Sequence, residues 1–164
     1  MTLLTTQTLT GYRIGDNAAR FAIYSAEGSR ISPGRWNTAT SPMIYLSQNY
    51  STAMLEKLVY ANGIMPSSAH FITVTIPVGV SCETFSVAHY PGWADQDKVV
   101  ARAYGQAWYD ERRSAILIVP SVVARHEKNF LLNPTHPDFG KIIPNPIAEP
   151  VWWDTRLFPP TITP

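Results

Sequence analysis

Apolar and polar residues along this chain fall into short blocks, and each block predicts an element. Residues 21–24 (Phe-Ala-Ile-Tyr) read as a short strand, followed by a turn region over residues 29–40 that carries Pro33-Gly34. Residues 43–46 (Met-Ile-Tyr-Leu) read as a second strand, bounded by Pro42 before it and polar residues after it. Over residues 47–62 the period becomes helical. Met54, Leu55, Leu58 and Val59 recur at helical spacing and are expected to share the core face, with Ser47 or Ser51 capping the start and Gly63 the end. Residues 71–76 alternate as a strand and stop at Pro77. Asp95 or Asp97 is expected to open a further helix with Val99, Val100, Ala103, Ala107 and Trp108 along one side. Residues 115–119 (Ala-Ile-Leu-Ile-Val) form a continuous apolar run ended by Pro120, the pattern of a buried strand.

Beyond that strand the chain is rich in proline and aromatic residues, and the 14 prolines and 9 glycines overall favour short elements joined by defined turns. Strands and helices mix without a regular βαβ alternation. Neither Gly-x-Gly-x-x-Gly nor a phosphate loop ending in Gly-Lys-Ser/Thr occurs. The fold expected is α+β: one compact domain over residues 1–158, with a mixed or antiparallel central sheet and flanking helices. Residues 159–164 are expected to form a flexible tail. A length of 164 residues is enough for one conventional core.

Charge narrows the function classes. The 13 basic and 12 acidic residues leave a net charge of +1, and Arg112-Arg113 is the nearest thing to a basic tract, so nothing favours direct nucleic-acid binding. The single cysteine, Cys82, makes no intrachain disulfide, and the four histidines (His70, His89, His126, His136) show no metal-site spacing. No basic leader opens the chain and no apolar run is long enough to span a bilayer. No membrane association and a cytoplasmic location are therefore expected.

Four positions carry candidate chemistry. In Gly34-Arg35-Trp36-Asn37, Arg35 offers a planar fork of donors suited to phosphate, while Trp36 either walls a pocket or plugs the core beneath the loop. Tyr45 alternates with Ile44 and Leu46 and so faces away from them, where its ring either stacks on a flat heterocycle or simply packs. Glu56 falls at the edge of the expected apolar arc of its helix, beside Val59 and Tyr60; it either looks into a cleft or is an ordinary solvated glutamate. Ser121, just after the buried strand and Pro120, is placed either to bind a ligand or to make a local turn bond. No Gly-x-Ser-x-Gly surrounds it.

Taken in order, Tyr12-Arg13, Gly34-Arg35-Trp36-Asn37, Ile44-Tyr45-Leu46-Ser47, Ala53-Met54-Leu55-Glu56, Val119-Pro120-Ser121, Asn129-Phe130-Leu131-Leu132-Asn133-Pro134, His136-Pro137-Asp138-Phe139 and Trp153-Asp154-Thr155-Arg156-Leu157 resemble the RES domain family, over about residues 9 to 158. The resemblance implies an ADP-ribosyltransferase-like fold and a bacterial toxin that depletes NAD+, encoded beside an Xre-like antitoxin. It implies catalytic roles for Glu56, Arg35 and Tyr45, and substrate contacts from Arg13, Arg35, Tyr45 and Ser121. It implies NAD+ as substrate, no separate cofactor and no metal, the antitoxin as partner, and a homodimer within that complex. The expected reaction is cleavage of the nicotinamide–ribose bond with water or phosphate as acceptor. The alternatives are ADP-ribosyl transfer to a macromolecule and a non-catalytic interaction module.

Overall fold

The computed structural model describes residues 1–159; of the expected tail, residues 159–164, all but Pro159 lie outside the described residues. Nine strands form one sheet: β1 (Leu3–Leu4), β2 (Leu9–Asp16), β3 (Ile44–Ser47), β4 (Ala69–Ile76), β5 (Ser81–Thr84), β6 (Ile116–Pro120), β7 (Lys128–Leu132), β8 (Ile143–Pro144) and β9 (Glu149–Pro150). Three α-helices accompany them: α1 (Glu27–Ile31), α2 (Tyr50–Val59) and α3 (Val99–Asp110). The spatial order is β1-β5-β6-β7-β3-β2-β4-β8, with β9 also on β4. Every pairing is antiparallel except β5 with β6, which α3 joins as a crossover. This is a mixed α+β domain with a mostly antiparallel central sheet and few helices.

Both sheet faces are apolar. On one, Ile44, Leu46, Val74, Ile76, Ile116, Phe130 and Leu132 form a core that irregular chain covers through Ile23, Tyr24 and Phe139. On the other, Leu117, Val119 and Leu131 pack with Met43, Trp36, Phe85, Trp93 and the inner side of α3. Burial on both faces explains the unbroken apolar run of β6. Trp108 is fully buried, and its indole N–H donates to Ser114 Oγ at 2.8 Å, which in turn donates to the Ile116 carbonyl.

Several expectations needed correction. Residues 21–24 form no strand; they run as bends whose Ile23 and Tyr24 side chains cover the first core. The turn region over residues 29–40 begins inside α1. The helix expected over residues 47–62 is Tyr50–Val59: Ser47 belongs to β3, and Asn49 sits at the N-cap with extended backbone and no side-chain cap bond. Its buried face also differs from the expected one. Thr52 and Ala53 are buried whereas Leu55 and Val59 are exposed, because the helix lies close against β2 and β3 and only small side chains fit between. In α3 the inward residues are Ala101, Gly105, Trp108 and Tyr109, while Val99 and Ala103 face outward.

Truncating Trp108 removes a fully enclosed indole and its hydrogen bond. Trp108→Ala is expected to lower unfolding free energy by about 3–5 kcal/mol, measured by chemical denaturation.

Candidate active site

The sheet opens between β2 and β3. β2 pairs with β4 along all eight residues and β3 with β7 along all four, yet β2 meets β3 only at Tyr12 and Ser47. Past that bridge the two strands separate, and a cavity of about 570 Å³ occupies the opening. That volume lies in the range of small-molecule sites. Arg13, Arg35, Tyr45 and Glu56 all line it, together with Lys57 and Lys98.

Arg13 starts from the face opposite Tyr12 and reaches across the opening. Its Nη1 donates to the Tyr45 carbonyl at 3.3 Å and its Nη2 to the Ser25 carbonyl at 3.0 Å. The guanidinium thus serves a strand carbonyl left without a ladder partner. Burial lowers its pKa to about 10, so it stays cationic at neutral pH.

The loop between α1 and β3 is built around Asn37, which is fully buried and satisfied at both ends of its amide. Its Oδ1 accepts from the Gly34 N–H and from the Tyr45 hydroxyl, both at 2.8 Å. Its Nδ2 donates to the Ser29 and Thr38 carbonyls. The Tyr45 hydroxyl also accepts from the Trp36 N–H at 3.1 Å. Burial raises the Tyr45 pKa far above the ordinary range, so this phenol remains a neutral hydrogen-bonding group. A Cβ at Gly34 would stand 2.7 Å from the Tyr45 hydroxyl, so glycine is required for this approach. The ring of Trp36 is buried among Phe85 and Trp93, which makes it an anchor beneath the loop. Arg35, beside it, donates through Nη1 to the carbonyls of Trp93 (3.1 Å) and Asp95 (2.6 Å).

Glu56 approaches the cavity from α2. The face that carries Thr52 and Ala53 against the sheet continues to Glu56 one turn on, so the glutamate points inward. Its Oε1 accepts from Ser121 Oγ at 2.9 Å and from Asn129 Nδ2 at 2.8 Å. Its Oε2 has no hydrogen bond among the described residues. Asn129 lies in the transverse row Tyr12, Ser47, Asn129, Val119 that crosses four strands, so it shares a sheet face with Tyr12.

Ser121 is fully buried and does not line the cavity. Its oxygen donates to Glu56 and accepts from the Ala124 N–H. Ser121 thus stands behind the carboxylate, against Glu56 Oε1, rather than at the cavity wall. Asn37 and Asn129 were not singled out from sequence. Both lie inside stretches that carried the family resemblance, and an asparagine read singly signals a turn before it signals a site.

Among the described residues no group of three or more His, Cys, Asp or Glu is placed to hold a metal ion, and no helix is long and apolar enough to cross a membrane.

A carboxylate tied to β7 and to the turn after β6, in a cavity that arginines also line beside a split antiparallel sheet, defines a single-domain α+β protein with a charged cleft. The RES domain profile matches residues 10–154, and the chain belongs to that family. It is 34% identical over 119 residues to a "Prs ADP-ribosylating toxin" of Sphingobium sp. (strain YBL2), covering 70% of this chain and 74% of that protein. It is 33% identical over 113 residues to a "Toxin Res" of Pseudomonas putida, covering 67% and 76% respectively. Its fold matches a chain of the M. tuberculosis MbcT–MbcA toxin–antitoxin complex with a TM-score of 0.68 at 19% identity, over 90% of this chain and 86% of that one. It is a RES-domain toxin.

Helix α3 bears directly on the arginine loop: a Cβ at Gly105 would lie 1.9 Å from the Trp36 carbonyl oxygen, whereas one at Gly140 would meet nothing within 4 Å. Gly105→Ala is expected to lower the thermal midpoint and shift tryptophan fluorescence, while Gly140→Ala leaves both near the parental values. Equal midpoints for the two variants would contradict the contact.

Proposed function

We propose that this toxin breaks the N-glycosidic bond between nicotinamide and ribose in NAD+. One observation carries the reading. Glu56 is held on one oxygen by Ser121 and Asn129, and its other oxygen is free at the wall of a cavity lined by four cationic side chains, Arg13, Arg35, Lys57 and Lys98. Such a site suits a ligand with an anionic portion and a centre that becomes positive during reaction.

The chemistry follows from that pairing. The C–N bond breaks with its electron pair passing to nicotinamide, which leaves as a neutral base. Positive charge then develops on the ribose carbon, as in glycosidic cleavage generally. The free oxygen of Glu56 stabilises that carbon or orients a ribose hydroxyl. An acceptor oxygen then bonds to the carbon and gives up its proton. Because nicotinamide departs from a cationic state, no general acid is required. The pyrophosphate lies toward the arginines, Arg35 foremost, while Tyr45 packs beside the nicotinamide-ribose end.

Water as acceptor makes the protein a glycohydrolase, and phosphate makes it a phosphorylase. A second reading, transfer of ADP-ribose to a macromolecule, is favoured by the name of the Sphingobium relative, an ADP-ribosylating toxin. All three share the bond-breaking step. We further infer that an antitoxin protein, of Xre-like type, restrains this activity in the cytoplasm, since the structural relative is the toxin of a toxin–antitoxin complex.

Glu56→Gln keeps the size and both hydrogen-bonding positions but removes the charge. It is expected to slow NAD+ consumption by about 10²–10³ with an unchanged unfolding midpoint. Ser121→Ala should cost less, because the Asn129 bond remains. Parental NAD+ turnover by Glu56→Gln would refute the role of the carboxylate. Chromatography of the products as ADP-ribose, its phosphorylated form or a modified macromolecule identifies the acceptor.

A further inference from the structure

We infer that Lys98 is a ligand of the substrate's pyrophosphate and forms, with Arg35, the anion-binding pair of the cavity. The inference rests on the NAD+ reading above and goes beyond it by assigning a residue that no motif pointed to.

Lys98 lines the cavity and is only partly exposed. Its ammonium makes no hydrogen bond and no ion pair among the described residues. Lys141, by contrast, pairs with Asp138 at 2.6 Å and Arg30 with Glu27 at 2.6 Å. The backbone at Lys98 is left-handed, with φ 62° and ψ 13°. A residue with a Cβ adopts that conformation at a cost, and glycine is the usual occupant. The fold itself uses only the main chain here: the Lys98 N–H donates to the Asp95 carbonyl at 3.2 Å, and its carbonyl accepts from the Arg102 N–H at 2.9 Å to start α3. A long cationic side chain thus stands where the backbone would favour none, and it borders the cavity.

The same turn fixes Lys98 relative to Arg35. The Asp95 carbonyl oxygen accepts both from Arg35 Nη1 at 2.6 Å and from the Lys98 N–H. Arg102 Nε adds a bond to the Gly34 carbonyl at 3.3 Å, tying the first turn of α3 to the arginine loop. The Lys98 backbone and the Arg35 guanidinium therefore share one acceptor, and both residues line the cavity. Arg13 differs in which nitrogens it uses: its Nη1 and Nη2 each hold a backbone carbonyl at the sheet opening, whereas both carbonyls held by Arg35 share its Nη1. With two of its terminal nitrogens so engaged, Arg13 acts chiefly in shaping the cavity, and Lys98 supplies the second phosphate contact. Two adjacent donors of positive charge match the two neighbouring phosphates of a dinucleotide.

The test compares Lys98→Gly and Lys98→Arg, each made in the Glu56→Gln protein so that substrate persists, using calorimetric titration with NAD+ and with ADP-ribose. Lys98→Gly is expected to unfold at or above the parental midpoint, since the backbone conformation is relieved. Its Kd for both ligands should rise by about 10- to 100-fold, the loss of one charge-assisted hydrogen bond. Lys98→Arg should recover most of the affinity. Parental NAD+ affinity in Lys98→Gly, or weakened NAD+ binding with ADP-ribose unaffected, would overturn the assignment while leaving the NAD+ reading intact. Failure of the Glu56→Gln protein itself to bind either ligand would overturn both.

Discussion

The site depends on a sheet that stops pairing midway between two strands. Once β2 and β3 separate beyond Tyr12 and Ser47, the backbone groups facing the opening need partners, since an interior carbonyl left bare is costly. The Tyr45 carbonyl finds one in Arg13, and a guanidinium consequently sits permanently in the wall. The opening that creates space for a ligand therefore also requires a cation at its edge. Were the two strands zipped along their length, there would be neither cavity nor buried charge.

The opposite pole is equally constrained. Glu56 belongs to α2, but both of its hydrogen-bond donors belong to the far side of the sheet opening: Asn129 in β7 and Ser121 just past β6. The carboxylate is therefore located by three elements at once, and a shift of the helix along the sheet would break both bonds. Placing both donors on Oε1 leaves the carboxylate two-sided, with one oxygen structural and the other available. Positive and negative ends of the cavity are in this way fixed by separate parts of the fold.

Much of this was legible from sequence where local chemistry and burial agree. β3, β4 and β6 were readable because prolines bound them and their side chains are apolar or alternate. β2 escaped notice because two glycines and an arginine interrupt it, and those residues answer to neighbours: a Cβ at Gly11 would meet Leu46 at 2.7 Å and one at Gly15 would meet Ile23 at 3.0 Å. β7 was hidden by its polar start, Lys128-Asn129, of which the asparagine serves Glu56. Helices α2 and α3 were located nearly correctly but their faces only in part: Trp108 and Val100 of the expected α3 face do pack into the core, whereas Leu55 and Val59 of α2 are exposed. Periodicity weighs large apolar residues, whereas close backbone approach selects small ones: Thr52 and Ala53 where α2 meets the sheet, and Gly105 where α3 meets the Trp36 carbonyl. The same error placed Glu56 at the rim of a helix face when it lies on the inner one. Neither composition nor spacing shows that Lys98 and Arg35 line one cavity, with the Lys98 backbone and the Arg35 guanidinium bonded to the same carbonyl.

The closeness of α3 to the Trp36 carbonyl has a thermodynamic corollary. A loop that rests on helix backbone, with a filled aromatic layer beneath it, has little freedom left to lose when a ligand arrives. The cleft is already set in shape, so the energy of binding a ligand is not consumed in ordering the loop.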